Sequence, residues 1–247
     1  VSPDGMRKPY AFYEDKPSNW RSANVEADYL VISYGEFIPA LAPLVNHYES
    51  RGLKTAVADI QDIYDEFNHG FYALEPVKDC LDYAYHYWQR PPTYVLLVGD
   101  ASYNPRIFNP SRYDSVRTDF VPTHFFKADA DYYQAVSDNW LAAVDGDDVI
   151  PDMFISRFPA NSLEMAEGMV EKVVNYAAQP IQNDWNQHYV FVCDDGEGGS
   201  LAFEDTTNAL IDSIVPGFIK PQKIYLADLG PDATKDSVQA ALRNGAL

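Results

Sequence analysis

Apolar runs of strand length alternate with segments of helical periodicity over residues 29–99. Strands that are buried on both faces are continuous apolar runs, and their alternation with helices is typical of βαβ units. The pattern therefore predicts an α/β fold with a parallel sheet. The predicted strands are 29–34, 53–59 and 94–99, and the predicted helices are 37–49 and 74–88.

The pattern breaks over residues 101–151, which are rich in Asp, Tyr, Asn and Pro. A segment of this length is too long for an ordinary connection, so we expect a functional loop or a small β excursion there. A strand is predicted again at 153–156. The helix that follows is expected to start at Asn161, because Glu164 three residues later completes a capping pattern.

A polar link containing proline, at 179–184, is the predicted domain boundary. Beyond it the alternation resumes, and the crossover rule calls for one more parallel strand after the last helix, so we expect the second sheet to be incomplete. The predicted elements are strand 189–193, a glycine-rich acidic loop, helix 204–215, strand 223–227 and helix 234–243. We therefore predict an N-terminal arm at 1–26, an α/β subdomain at 27–178, the linker at 179–184 and a truncated α/β subdomain at 185–247.

The net charge of -19 comes from 37 acidic against 18 basic residues. Such a chain repels phosphate backbones and anionic membrane surfaces, so nucleic acid is excluded as a partner. No apolar run is long enough to span a bilayer, and residues 1–5 do not resemble a signal peptide. The acidic excess suits calcium or basic peptides, although a solvated acidic surface is the plainer interpretation.

The two cysteines are too few for a disulfide framework, and their spacing is not that of a zinc site. Cys80 falls on the apolar stripe of the helix predicted at 74–88 and is interpreted as a core residue. Cys193 ends a strand beside two carboxylates and is interpreted as structural, so no disulfide is predicted. None of the five histidines adjoins a nucleophile, and no phosphate-binding glycine motif is present.

Carboxylates follow two of the predicted strands, and ligands of open parallel sheets collect at such carboxyl ends. Asp100 is interpreted as a turn residue that bonds its own backbone. Asp194, Asp195 and Glu197 lie within four residues of one another and repel, a cost that a cation, a basic substrate or an imidazolium would offset. A functional loop and a solvated loop both remain open.

Asp145, Asp147 and Asp148 are candidate ligands of a structural calcium ion, because carboxylate oxygens are the ligands that calcium prefers. Asp129 and Asp131 add to the density of carboxylates in the same irregular segment. The spacing lacks the glycine and terminal glutamate of an EF-hand. The prediction of calcium binding therefore rests on carboxylate density alone.

Four stretches, taken in their order and spacing, resemble the gingipain family of cysteine peptidases (peptidase family C25), whose fold is related to that of caspases. They are YVLLVGD at 94–100, SDNW at 137–140, PDMFISRFP at 151–159 and the segment 185–199. The resemblance covers most of 27–247. It implies a parallel-sheet α/β sandwich of two side-by-side subdomains, the first non-catalytic and the second bearing a His and Cys dyad at its strand ends.

The resemblance also implies roles for individual residues. Asn244-Gly245 resembles the turn before the strand that leads into the Gly-His-Gly motif of the family, which would place the catalytic His and Cys beyond Leu247 and leave this chain inactive alone. Glu197 best matches the carboxylate near the catalytic histidine, with Asp195 as the alternative. Asp205 is the nearest match to the S1 aspartate of arginine-specific members, but it fits equally as the N-terminal charge of a helix.

The function implied is that of a thiol endopeptidase, secreted or at the cell surface, which acts on proteins or peptides and requires no cofactor. A basic P1 preference depends on Asp205. The alternative keeps the fold without the proteolysis, as a sortase-like protein or a catalytically inactive surface interaction domain. A doubly wound, acidic ligand-binding module is a third hypothesis, which rests on fold analogy alone.

Overall fold

The chain divides into two compact units, Val1–Tyr176 (the first unit) and Ala177–Leu247 (the second unit). The linker predicted at 179–184 lies outside the described residues, so its role stays a prediction. No helix in the described part of the chain is long and apolar enough to cross a membrane. The computed structural model describes residues 14–105, 119–127, 134–178, 185–196, 202–219 and 221–246.

The first unit is built on a parallel sheet. Its strands are β1 Tyr29–Ser33, β2 Thr55–Asp59, β3 Tyr94–Val98, β4 His124–Phe126, β5 Ala135–Ser137 and β6 Phe154–Phe158. Four of them form one sheet in the order β2-β1-β3-β6, with every neighbouring pair parallel. The remaining two, β4 and β5, form a short antiparallel pair, which is the predicted β excursion. The parallel α/β fold is thus confirmed.

Helices pack on both faces of this sheet. They are α1 Ala42–Glu49, α2 Ile60–Asn68, α3 Glu75–Tyr87, α4 Asn139–Ala142 and α5 Leu163–Ala178. Side chains alternate between the two faces along each strand. Leu30 and Leu97 pack with α2, α3 and α4 in one core, whereas Val31 and Leu96 pack with α1 and α5 in the other. Burial on both faces explains why these strands are continuous apolar runs.

Prolines divide the helix predicted at 37–49. The segment forms a 3-10 helix, Gly35–Leu41, followed by α1. Pro39 lies inside the 3-10 helix and Pro43 lies at the start of α1. Because neither proline has an N–H to donate, a single α-helical ladder cannot continue through the segment.

Two helix starts differ from the predictions. The apolar pattern does not predict α2, which follows β2 directly and is capped by Asp59, whose carboxylate accepts from the N–H of Gln61 at 3.0 Å. The predicted cap of α5 at Asn161 is wrong by one residue. The Ser162 hydroxyl accepts from the N–H of Met165 at 3.2 Å and forms the cap.

Arg157 on β6 ties the β excursion to the sheet. Its guanidinium forms a bidentate pair with Asp138, with N–O distances of 2.8 and 2.7 Å. The remaining N–H groups donate to the carbonyl oxygens of Gly99, Val121 and Pro122 at 2.7, 2.7 and 3.0 Å. All five N–H donors of the side chain are therefore used, and the SDNW and PDMFISRFP stretches meet at this ion pair.

The second unit contains a pair of parallel strands, Val190 opposite Gln222 and Cys193 opposite Tyr225. The strand predicted at 223–227 is wrong at its end, because the chain enters a short helix at Leu226 that is closed by a hydrogen bond from the N–H of Gly230 to the carbonyl of Leu226 at 2.8 Å. The elements are β7 Val190–Cys193, α6 Ala202–Ile214, β8 Gln222–Tyr225, α7 Leu226–Leu229 and α8 Pro231–Asn244.

A glycine closes the last helix against an aromatic ring. Gly245 has a φ of 82°, in the left-handed region that favours glycine. A Cβ atom at this position would lie 2.8 Å from Cβ of Trp185, a distance too short for two carbon atoms. The Asn244-Gly245 pair therefore forms a turn that only glycine fits without strain.

Candidate functional site

The candidate site lies where β7 ends. Cys193 is the last residue of the strand, and Asp194 and Asp195 follow it with exposed side chains. The carboxylate of Asp194 accepts a hydrogen bond from the N–H of Asp195 at 3.0 Å. Glu197 lies outside the described residues. The proposed orienting role of Glu197 or Asp195 therefore stays a prediction.

Cys193 points into the second unit. Its residue is 7% exposed, and Sγ lies 2.9 Å from Oγ1 of Thr207 and 3.7 Å from the carbonyl oxygen of Phe203. Cys80 is buried in the first unit, where burial raises the pKa of its thiol. Both cysteines are free, as predicted. Neither thiol is presented to solvent as an attacking nucleophile would be.

Asp205 is exposed in the first turn of α6. A carboxylate at this position complements the helix dipole, which is the structural role weighed for it above. Its neighbour Glu204 is the buried one, at 6% exposure. An S1 role for Asp205 stays a prediction.

Polar side chains of α6 face the two strands, which the sequence patterns did not reveal. Oδ1 of Asn208 accepts hydrogen bonds from Lys223 Nζ at 2.6 Å and from the Tyr225 hydroxyl at 2.9 Å. Burial, followed by electrostatic interaction with Cys193, Glu204 and others, raises the pKa of the Tyr225 phenol. The signal that could have found this cluster is the polar i, i+3, i+4 spacing within α6.

The calcium candidates lie in an exposed loop. Asp152 accepts hydrogen bonds from the N–H groups of Val144 and Asp145, both at 2.8 Å, and Asp148 accepts from the N–H of Ile150 at 2.8 Å. Across the residues that the structure describes, no three His, Cys, Asp or Glu side chains are arranged to hold a metal ion. Asp129 and Asp131 lie outside the described residues, so calcium binding in this segment stays a prediction.

Asp100 acts as a turn residue, as predicted. Its carboxylate accepts a hydrogen bond from the N–H of Ala101 at 2.9 Å, and its carbonyl accepts one from the N–H of Phe120 at 2.8 Å. The preceding residue, Gly99, has a φ of 143°, and a Cβ there would lie 2.8 Å from Cβ of Phe120. Gly99 therefore allows Phe120 and Val121 to approach the end of β3 closely.

The fold is the caspase-like α/β fold of the gingipains. The chain aligns with the crystal structure of the Arg-specific cysteine proteinase gingipain R (RgpB) with a TM-score of 0.63 and 19% identity, over 94% of this chain and 47% of that one. It aligns with the complex of the Porphyromonas gingivalis RgpB pro- and mature domains with a TM-score of 0.61 and 19% identity, over 88% and 45%. For dimeric latent PorU of Porphyromonas gingivalis the values are 0.51, 16%, 74% and 21%.

The sequence assigns the family. The model of Peptidase family C25 matches residues 22–247, so the chain belongs to peptidase family C25. No curated protein matches the chain. The chain spans less than half the length of the matched structures. The resemblance to the gingipain family is confirmed.

Proposed function

We propose that this chain is the N-terminal portion of a gingipain-like cysteine endopeptidase whose catalytic His and Cys lie outside these residues. In such an enzyme the histidine deprotonates the cysteine, the thiolate attacks the peptide carbonyl, and backbone amides hold the oxyanion. The observation that carries the proposal is the family match over 22–247 combined with coverage of 47% of gingipain R.

The described histidines and cysteines support this placement of the dyad. Cys80 and Cys193 are buried, and His188 precedes β7 while Cys193 ends it. Five residues of extended chain span roughly 16 Å, which is far beyond hydrogen-bond reach. The positions of His188 and Cys193 at opposite ends of this segment therefore support a dyad that lies elsewhere.

The remaining roles follow the same proposal. Glu197, or Asp195 in its place, orients the catalytic histidine, and Asp205 lines an S1 pocket that accepts a basic P1 side chain. The substrates are proteins or peptides, and the enzyme is secreted or at the cell surface. No cofactor is required for the chemistry, and calcium, if bound near Asp145, is structural.

The test compares this chain with a longer chain from the same gene that includes the remainder of a peptidase domain. Both are assayed on fluorogenic peptides with Arg, Lys or Leu at P1, with and without a thiol alkylator. We expect alkylator-sensitive cleavage by the longer chain only, because loss of the nucleophile and base together removes at least about a thousandfold in kcat.

Cleavage by the short chain would contradict the proposal, and a folded but inactive longer chain that retains both residues would establish the inactive interaction domain instead. Asp205→Asn in the longer chain tests specificity. It should lower kcat/KM for Arg and Lys substrates but not for Leu. Equal loss on all three substrates would assign Asp205 to the helix terminus alone.

A further inference from the structure

The buried face of helix α6 carries three polar side chains beside the apolar Ile211. Glu204, Thr207 and Asn208 follow the i, i+3, i+4 spacing of one helical face. Glu204 is only 6% exposed, whereas the apolar Phe203 and Leu210 are 55% and 46% exposed. Burial of its most apolar stripe therefore does not set the orientation of this helix.

Glu204 differs from its two polar neighbours in having no hydrogen-bond partner among the residues that the structure describes. Thr207 and Asn208 are hydrogen-bonded to residues of β7 and β8, as described above. Both carboxylate oxygens of Glu204 are buried and have no hydrogen-bond partner in the described ranges. Burial of an ionised carboxylate is strongly unfavourable unless hydrogen-bond donors or a cation compensate it.

Two basic residues of the second unit are engaged elsewhere. Lys223 Nζ donates to Asn208 at 2.6 Å, and the guanidinium of Arg243 donates to Gln239 at 3.4 Å. Arginine is the side chain best suited to a buried carboxylate, because its fork of N–H groups satisfies both oxygens at once. The chemistry that fits Glu204 is therefore a cation with several N–H donors.

We propose that Glu204 is the acceptor half of a buried ion pair, whose cationic half is an arginine or lysine side chain in the part of the peptidase domain that this chain does not include. The inference rests on the proposed function only for the existence of that remainder. Thr207 and Asn208, one turn further along α6, bond to Cys193 and Tyr225 at the ends of β7 and β8, where further strands of a parallel sheet bring their own strand-end residues. Glu204 then joins the two parts of the catalytic subdomain.

The test measures hydrogen exchange of the β7 and β8 amides in Glu204→Leu and Glu204→Gln variants, in two contexts. In the 247-residue chain both substitutions should raise protection, by about 5- to 100-fold, because they remove an uncompensated buried charge. In the longer chain described above they should lower protection by at least about 100-fold, because they leave the cation buried without its partner.

Asp205→Asn and Asp205→Leu are the matched controls, since Asp205 is the exposed neighbour in the same helical turn. They should change protection by less than about threefold in either context. Lower protection for both Glu204 variants in the short chain would place the partner within this chain and overturn the proposal. Unchanged protection in both contexts would indicate a water-satisfied carboxylate and overturn it too.

These readouts do not involve catalysis. An inactive longer chain in which the Glu204 effect still changes sign contradicts the proposed function and leaves the ion pair standing. A longer chain that cleaves peptides, but in which the Glu204 effect keeps its sign, supports the proposed function and contradicts the ion pair. Glu204→Gln keeps the shape of the side chain, so it decides the matter if Glu204→Leu fails to fold.

Discussion

The two units contain the same kind of parallel strand in different surroundings. Every residue of β1 is buried, and Leu97 on β3 has no exposed surface. In β7, by contrast, Val192 is 53% exposed, and only Cys193 is fully buried. Strands β1 and β3 of the first unit are therefore covered on both faces, whereas the described residues of the second unit leave the Val192 face of β7 open.

The comparison shows what sequence periodicity reports. Continuous apolar strands predict burial on both faces, and β7 carries that pattern as clearly as β1 does. Its apolar residues predict a strand buried on both faces. The described residues of the second unit provide only part of that burial. The following predictions test this contrast, from the largest expected effect to the smallest.

Loss of the Arg157 ion pair should have the largest effect. Arg157→Met leaves Asp138 with the Thr123 hydroxyl but without its cation, and removal of one partner of a buried pair costs about 3–5 kcal/mol in the free energy of unfolding. Urea unfolding followed by far-UV circular dichroism measures it. The double variant Arg157→Met/Asp138→Leu should recover at least half of the loss. No recovery would show that the carbonyl contacts, and not the ion pair, account for the effect.

Truncation of strand residues separates the two units directly. Leu97→Ala should cost about 3–4 kcal/mol because it opens a cavity in a closed core. Val192→Ala should cost less than about 1 kcal/mol, since half of that side chain is already exposed. Both are measured by urea unfolding. Equal costs would mean that the open face of β7 is covered in solution, and the contrast would fail.

A glycine substitution tests the turn in the second unit. Gly245→Ala should destabilise by about 1–2 kcal/mol, because the φ of 82° disfavours alanine and the new Cβ would approach Trp185. Gly217→Ala is the control, since a Cβ there meets no atom within 4 Å. Urea unfolding followed by far-UV circular dichroism measures the change. Similar effects at the two glycines would argue against the close approach to Trp185.

The smallest effect concerns His86, at the end of α3. A hydrogen bond to the carbonyl of Asp82, then the charges of Asp82 and Asp145, raise the pKa of His86 above 6.5. Because its pKa is higher in the folded state, His86 adds its full contribution to the free energy of unfolding below the unfolded pKa near 6.5. That contribution is lost as the pH rises through the folded pKa. The side chain is 35% exposed, so the effect should stay below about 0.5 kcal/mol. Comparison of wild type with His86→Asn at pH 6 and pH 9 measures it, and a larger difference at pH 9 would reverse the sign.

Strand and helix order could be predicted because each depends on local periodicity. The runs that contain Leu30 and Leu97 are buried on both faces and are apolar without interruption. Helix α2 escaped prediction because it follows β2 without a loop and is capped by Asp59, the last residue of that strand. The cap of α5 was predicted at Asn161 but lies at Ser162. Asn and Ser side chains can both accept a hydrogen bond from a backbone N–H at a helix start, so residue type does not distinguish them.

The candidate site could be predicted only in outline. Residue type and position placed Asp195 at a strand end, where the structure has it. The pairing of Arg157 with Asp138 joins distant parts of the sequence, and no local pattern encodes it. The burial of Glu204 contradicts the ordinary preference of glutamate for the surface, so periodicity and residue type gave opposite indications there.

The full use of the Arg157 donors has a consequence for chemical labelling. Dicarbonyl reagents such as phenylglyoxal attack a guanidinium through its free nitrogens, and here every N–H is held by oxygen. Arg157 should therefore react only in molecules whose first unit has opened. The labelling rate of Arg157 can be measured by mass spectrometry of its peptide. This rate reports how often the first unit opens at equilibrium, without added denaturant.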